Sequence, residues 1–441
     1  MATTPKNDSD TMARRDFLKK TGTVAGAAAV GFPGIISGQS VTNALKIGLI
    51  GAGGRGRGAA EQALNADPNN ELTAIAEIDD ALVTRAISVL KGRPAIAARV
   101  KVDPANAVHG LDAYEKVINS GVDVVLLATP PGFRPQHLAA AVAANKHIFA
   151  EKPCATDAPG VREVIASQKL AQSKNLACVS GFCWRHHHMI TAAVQKVHEG
   201  AIGRPIAHYG TYYTSPVKLV PANAQRPAGM SDIEWQIRWW YNYTWMSGDS
   251  LVEQAVHNAD KIMWIKKDEP PQSAVGVGGR SVPFSYPNGG NIYDHFAIAY
   301  VWPDGYRAFL ANRQNTGTYN ATHDYIMGTE GTLTLGAGPA RINALDGSVK
   351  WQYSGPQNDM YQEEHNVMFA SIRAGKPRNT DWNLATSTML ALFGREAAYS
   401  GQQLTWDQVL NSSVRILPTD LKWTGSHDAG GPPQPGRYKA V

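Results

Sequence analysis

Cysteine is scarce in this chain: Cys154, Cys178 and Cys183 are the only three in 441 residues. Three thiols allow at most one disulfide, so the fold must rest on a packed core. After the N-terminal segment no apolar run reaches the roughly 20 residues that a membrane-spanning helix needs. Strong charge is missing too. The net charge is +5, and the first 44 residues hold five Lys/Arg and three Asp, which leaves about +3 for the rest. That is too mild for a surface built to bind nucleic acid. No internal repeat is visible. The length suits roughly two or three domains.

What is present begins with an address. Ala13-Arg14-Arg15-Asp16-Phe17-Leu18-Lys19-Lys20 resembles a twin-arginine export signal, with Ala where Ser or Thr is usual. An uncharged stretch of small and apolar residues, 21–38, follows. Residues 1–44 are therefore set aside as signal and linker. Cleavage is expected within 38–44, with an uncleaved anchor as the alternative. The signal implies the twin-arginine export machinery as a partner and a periplasmic or otherwise exported location. That machinery carries folded proteins, often with the cofactor already loaded.

The next segment organises the chain. Ile47–Ile50 is an apolar run that breaks into Gly51-Ala52-Gly53-Gly54-Arg55-Gly56, a G-x-G-x-x-G, and small residues then open a helix. Gly51 permits the tight turn, Gly53 lets the backbone approach a pyrophosphate, and Gly56 lets the helix pack close to the strand. A second apolar run, 71–78, carries Glu77, about 20 residues past the last glycine. A carboxylate there accepts from a ribose 2′-OH and repels a 2′-phosphate. The expected cofactor is NAD, with NADP as the alternative. An ordinary strand–turn–helix is the bland reading; the flanking strand and helix argue against it.

From Lys46 to about Cys178, strand and helix signals alternate. Helices are expected over 80–90, 113–119, 136–144 and 161–174, and strands over 123–128, 147–150 and 176–180. This predicts a Rossmann-type, doubly wound parallel sheet over 45–180, with ligands beyond the carboxyl ends of the strands. Gly51–Gly56, Glu77, Thr129-Pro130 and Glu151-Lys152-Pro153 fall at such ends. Over 181–375 strand signals dominate, which predicts an α/β domain with a large, mostly antiparallel open sheet. A helix is expected over 194–200. The remainder, 376–441, reads as a helix and an irregular arm packing back on the body.

Lys152 ends a buried strand at the cofactor cleft, where an ammonium can stabilise negative charge developing on a substrate oxygen. A surface lysine paired with a carboxylate is the alternative. Residues 250–260 read as one helix, with Glu253 and His257 at i, i+4 on one face. A carboxylate there would orient the imidazole and raise its pKa for acid–base work. The alternative is a capping box, Ser250 to Glu253, beside a satisfied His257.

These residues together resemble the glucose–fructose oxidoreductase / inositol dehydrogenase / MocA family. The carriers are Gly51-x-Gly53-x-x-Gly56, Glu77, Ala128-Thr129-Pro130, Glu151-Lys152-Pro153 and Glu253-x-x-x-His257 with Asp260, across about 45–401. The resemblance implies that Lys152 and His257 are catalytic, with Glu253 beside them where the family has Asp. It also implies an open sheet that forms oligomer interfaces, hence a homodimer or homotetramer. It implies cofactor contacts from Gly51, Gly53, Arg55, Gly56, Glu77, Thr129, Pro130, Glu151 and Lys152; His137 reads as either a further cofactor contact or a structural residue. The implied reaction is hydride transfer between nicotinamide and a sugar, polyol or glycoside hydroxyl.

Arg185, Arg238, Trp240 and Asp260 are candidates for substrate contact. The two arginines could instead pair with carboxylates. Trp235, Trp239, Trp240, Tyr241, Tyr243 and Trp245 could stack on a pyranose or fill core. His186-His187-His188 does not suggest a metal, since consecutive residues do not converge on one ion. Outside the cytoplasm free nicotinamide cofactor is scarce, so the cofactor is expected to stay bound and be recycled. Coupled sugar oxidation and reduction, or transient oxidation by an NAD-dependent glycosidase, would achieve this. A cytoplasmic sugar or inositol dehydrogenase and a non-catalytic Rossmann-fold sensor are the rivals.

Overall fold

The computed structural model describes residues 43–441 apart from 222 and 284–286. The twin-arginine motif and the stretch 21–38 lie outside the described residues.

The N-terminal part runs β1 (Leu45–Ile50), α1 (Gly54–Ala66), β2 (Asn70–Glu77), α2 (Asp80–Lys91), β3 (Ala107–His109), α3 (Ala113–Ile118), β4 (Val124–Leu127), α4 (Arg134–Ala143), β5 (His147–Ala150), α5 (Ala158–Ser173) and β6 (Cys178–Ser180). Its strands form a six-stranded parallel sheet in the order β3-β2-β1-β4-β5-β6. Helices cover both faces, so the strands need no polar alternation, and all four residues of β4 are buried. Helix α4 starts two residues before the expected Gln136, because Pro135 sits in the first turn, where its missing N–H costs nothing.

The second part adds α6 (His188–His198), β7 (Pro205–Thr214), α7 (Asp232–Arg238), α8 (Thr244–Ser247), α9 (Ser250–Glu253), α10 (Val256–Ile265) and β8 (Ser273–Gly279). It continues with β9 (His295–Val301), β10 (Arg307–Gln314), β11 (Asp324–Gly328), β12 (Gly331–Gly336), β13 (Gly338–Ala344) and β14 (Val349–Gln352). Then come α11 (Met360–Arg373), α12 (Asn383–Ser400), β15 (Leu404–Thr405) and α13 (Trp406–Leu410). The nine-stranded sheet is ordered β14-β13-β12-β11-β7-β10-β9-β8-β15 and is antiparallel except for the β7–β10 pair. The expected fold class is therefore observed. Helix α6 begins six residues before the expected Val194, on a buried stripe of Ile190, Ala193, Val194 and Val197.

The large sheet has two unlike faces. Along β10, Ala308, Leu310, Asn312 and Gln314 point into the core, while Phe309 is 41% exposed on the other side. The inner face packs against α12, whose 18 residues are all buried. The outer face is apolar and open: Val275, Val277, Phe309, Tyr325 and Met327 are all exposed.

A third apolar cluster joins Phe133 of the first part to Ile233, Trp235, Tyr243 and Trp245, and the tail residues Ile416, Leu417 and Trp423 pack against it. The C-terminal arm thus clamps the aromatic segment before α9 against the cofactor domain.

Candidate active site

The β1–α1 turn is built by contact. Gly51 has φ +90°, and a Cβ there would lie 2.6 Å from the Thr129 nitrogen. A Cβ on Gly56 would lie 1.9 Å from the Gly51 carbonyl oxygen, so only glycine lets α1 sit this close to the strand. A Cβ on Gly53 would meet nothing within 4 Å. The fold therefore does not require glycine at Gly53, whereas a pyrophosphate lying against the backbone would. The cradle fits a dinucleotide.

One cleft of about 860 Å³ runs from this turn across both parts of the molecule. Glu77 and Lys152 both line it. They lie at the ends of β2 and β5, three strand positions apart, which is about 14 Å across the sheet. Glu77 accepts from the Ile78 N–H at 2.5 Å, and burial raises its pKa. Thr129 and Pro130 also line the cleft, and Thr129 Oγ1 meets His137 Nδ1 at 3.2 Å. His137 stacks on Tyr114 at 4.2 Å, and burial pushes its pKa down to about 3. Arg134 is fully buried and donates to the carbonyls of Thr129 and Pro153, which ties the two strand ends together. The Lys152–Pro153 bond is cis.

Arg55 lines the cleft with its guanidinium held by carboxylates. It donates to Glu151 and to Glu364 at 2.9 Å, and it lies 4.9 Å from the Tyr361 ring. Glu364 comes from α11 and is completely buried, so burial and the nearby Glu151 raise its pKa.

Lys152, Glu253 and His257 line the same cleft. Lys152 Nζ donates to the Glu253 carbonyl at 2.5 Å and to Glu253 Oε1 at 3.2 Å. The predicted single helix over 250–260 is in fact two. The Ala255 N–H reaches back five residues to the Ser250 carbonyl at 3.3 Å, and the His257 N–H only three, to Gln254 at 3.3 Å. One wide and one tight turn replace the regular ladder, a feature frequent at functional sites. The expected Glu253–His257 partnership gives way accordingly. Glu253 gives its oxygens to Lys152 and Gln254, and His257 Nδ1 is buried without a partner.

The expected upward shift of His257 is also reversed. Burial, followed by the charges of Lys152, Lys261 and Arg55, pushes its pKa well below the usual 6.5. The imidazole is neutral and sits among Phe182, Trp184 and Tyr212, with ring centres at 6.1, 6.2 and 6.3 Å. Lys261 lies over Trp184 and pairs with the buried Asp324, which anchors this cage to the sheet.

Arg185 and Asp260 pair with each other at 3.0 Å, Arg185 also binds Asp268, and neither residue lines the cleft. Arg238 and Trp240 do line it; Arg238 reaches Asp79 at 2.9 Å and Glu234 at 2.9 Å. Of the aromatic group, Trp239 and Trp240 face the cleft, while Trp235, Tyr241, Tyr243 and Trp245 are core. Of the histidine run, His186 is buried and His188 opens α6. Sequence reasoning missed Tyr212, Gln254 and Tyr361, all of which line the cleft. The alternation of β7 could have pointed to Tyr212; Gln254 and Tyr361 carry no local signal.

Residues 45–182 match the model of the GFO/IDH/MocA oxidoreductase family, described as having an NAD-binding Rossmann fold. Those residues are similar to that family's NAD-binding domain over somewhat less than a third of the chain. An inositol 2-dehydrogenase/D-chiro-inositol 3-dehydrogenase of Lacticaseibacillus casei is 24% identical over 225 residues, 51% of this chain and 54% of the relative. The match thus spans about half the length of that relative. A levoglucosan dehydrogenase solved with NADH and levoglucosan shares the fold, with TM-score 0.64 and 19% identity over 82% of this chain and 99% of that one. So does an aldose–aldose oxidoreductase from Caulobacter crescentus solved with glycerol, with TM-score 0.61 and 15% identity over 82% and 100%. The dinucleotide cradle and the NAD-binding description of that match agree.

Proposed function

We propose that the chain is an exported NAD-dependent oxidoreductase acting on a sugar, polyol or glycoside hydroxyl, with cofactor retained between turnovers. The observation that carries this is that Lys152, Glu253 and His257 share one cleft with the glycine cradle and Glu77. Bound nicotinamide supplies the hydride acceptor or donor. The neutral His257 takes the hydroxyl proton, and the Lys152 ammonium stabilises the alkoxide charge that develops on the same oxygen. Glu253 keeps that ammonium aimed. The cage around His257 excludes water and fixes the ring.

Export is supported by Arg14-Arg15, and retention by the ion pair that joins the two sides of the cleft. Val217, Lys218, Arg238 and Trp239 face Ile78 and Leu82 across it, and the Arg238–Asp79 pair joins the two sides. The names of the solved neighbours support sugar chemistry, and the aldose–aldose enzyme supports a cycle in which one sugar reoxidises the cofactor that another reduced. The open apolar sheet face supports a homodimer or homotetramer.

The test is mass analysis of small molecules released from protein recovered outside the cytoplasm, alongside Lys152→Ala and His257→Ala. Stoichiometric NAD with loss of sugar turnover in both variants is expected. Cofactor-free protein that loads normally from added NAD refutes retention. Variants that keep a ligand response, in a chain with no turnover to lose, indicate a sensor.

A further inference from the structure

The break between α9 and α10 places Gln254 on the cleft wall, beside Lys152 and His257 but with neither as partner. Its amide nitrogen donates to Glu253 Oε2, and its amide oxygen accepts from the Tyr212 hydroxyl at 3.0 Å. We propose that Gln254, fixed by Tyr212, is a positioning residue that commits the Glu253 carboxylate to Lys152 and holds it off His257. This rests on the reading of Lys152 and His257 as the reacting pair.

Lys152 has three hydrogens to donate. Two are taken by the carbonyl and Oε1 of Glu253, which leaves one for a substrate oxygen. The carboxylate can act this way only while it points at Lys152. Glu253 and His257 lie four residues apart, and a carboxylate with a free oxygen would compete for the imidazole. Such a contact would raise the basicity of the ring and turn it within its cage. The donor from Gln254 on Oε2, together with Lys152 on Oε1, holds the carboxylate in the orientation that faces Lys152. Tyr212 serves twice, because its hydroxyl orients the amide while its ring lies 21° from parallel with His257.

The test compares full-length wild type, Gln254→Leu, Glu253→Gln, the double variant and Tyr212→Phe, all loaded with NAD. Levoglucosan, myo-inositol and D-glucose are the substrate probes. Gln254→Leu should slow the single-turnover reduction of the bound NAD roughly 10- to 150-fold, the worth of one hydrogen bond to a charged group, with substrate affinity and melting temperature little changed. The double variant should be no slower than Glu253→Gln, because Gln254 acts through that carboxylate. Tyr212→Phe should show a smaller loss in the same direction.

Histidine-selective NMR titration reads the clamp without turnover. The His257 ring should titrate at higher pH in Gln254→Leu than in wild type. Losses that add in the double variant, or a His257 titration unmoved by Gln254→Leu, overturn the proposal. A wild type whose bound NAD is reduced by none of these probes and none of a broad panel of sugars, polyols and glycosides overturns the oxidoreductase reading instead, and the NMR titration still decides the clamp.

Discussion

Two glycines a few residues apart make opposite predictions. A Cβ on Gly56 would sit 1.9 Å from the Gly51 oxygen, so the turn must open by about 1.5 Å to reach an ordinary 3.4 Å contact. Overpacking of this kind costs about 1–3 kcal/mol. Gly56→Ala should therefore melt earlier with no cofactor present, and should bind NAD roughly 5- to 150-fold more weakly because the cradle is distorted. Gly53→Ala meets open space at φ −63° and ψ −167°, an allowed conformation for alanine. Its cofactor-free melting temperature should hold or rise, since alanine restricts the unfolded chain by about 0.4–1 kcal/mol. Its NAD affinity should nevertheless fall, because the new methyl points where a pyrophosphate must approach. The assay is thermal melting of stripped protein with and without NAD, where ligand stabilisation follows affinity directly. If Gly53→Ala binds NAD as wild type does, no phosphate lies against Gly53, and the cradle reading fails.

Four further outcomes are expected. Glu77→Ala should shift the NADP-to-NAD affinity ratio toward NADP by about tenfold or more, as removal of one nearby charge allows; an unchanged ratio places the ribose elsewhere. Asp79→Asn should speed NAD release roughly 1.4- to 5-fold, the worth of a half-exposed ion pair, and stopped-flow displacement measures it. Because the pKa of His257 lies well below 6.5, its base form persists as pH falls, so kcat should not drop with a midpoint near 6.5; such a midpoint would show a solvated imidazole. Val277→Lys with Phe309→Glu should lower the particle mass in light scattering without changing NAD binding, whereas unchanged mass moves the interface off this sheet face.

The cofactor half of the site was legible in sequence because backbone geometry fixes it. The turn at Gly51, the packing at Gly56 and the position of Glu77 follow from where glycine or a carboxylate is needed. Lys152 was legible for a related reason, since the end of a buried parallel strand opens on the cleft. The helix pair that carries Glu253 and His257 was less so. Regular spacing put Glu253 and His257 on one face, but the wide turn at Ala255 depends on tertiary packing and is invisible in a local pattern. Arg185 and Asp260 were plausible substrate groups until the fold closed them on each other. Helix α7 carried a readable cap, Ser231 accepting from the Glu234 N–H at 3.0 Å, yet the sequence reading placed no helix there. Tyr361 reaches the cleft from a helix far along the chain, so only the tertiary fold could place it.

The central claim is that a hydride moves between a substrate carbon and nicotinamide in this cleft, with His257 handling the proton. The direct measurement is the absorbance of reduced nicotinamide after NAD-loaded protein is mixed with a panel of sugars, polyols and glycosides. The account predicts a rise with at least one of them in wild type, and little or none in His257→Ala carrying the same bound NAD. No rise with any of them, or an equal rise in His257→Ala, would contradict it.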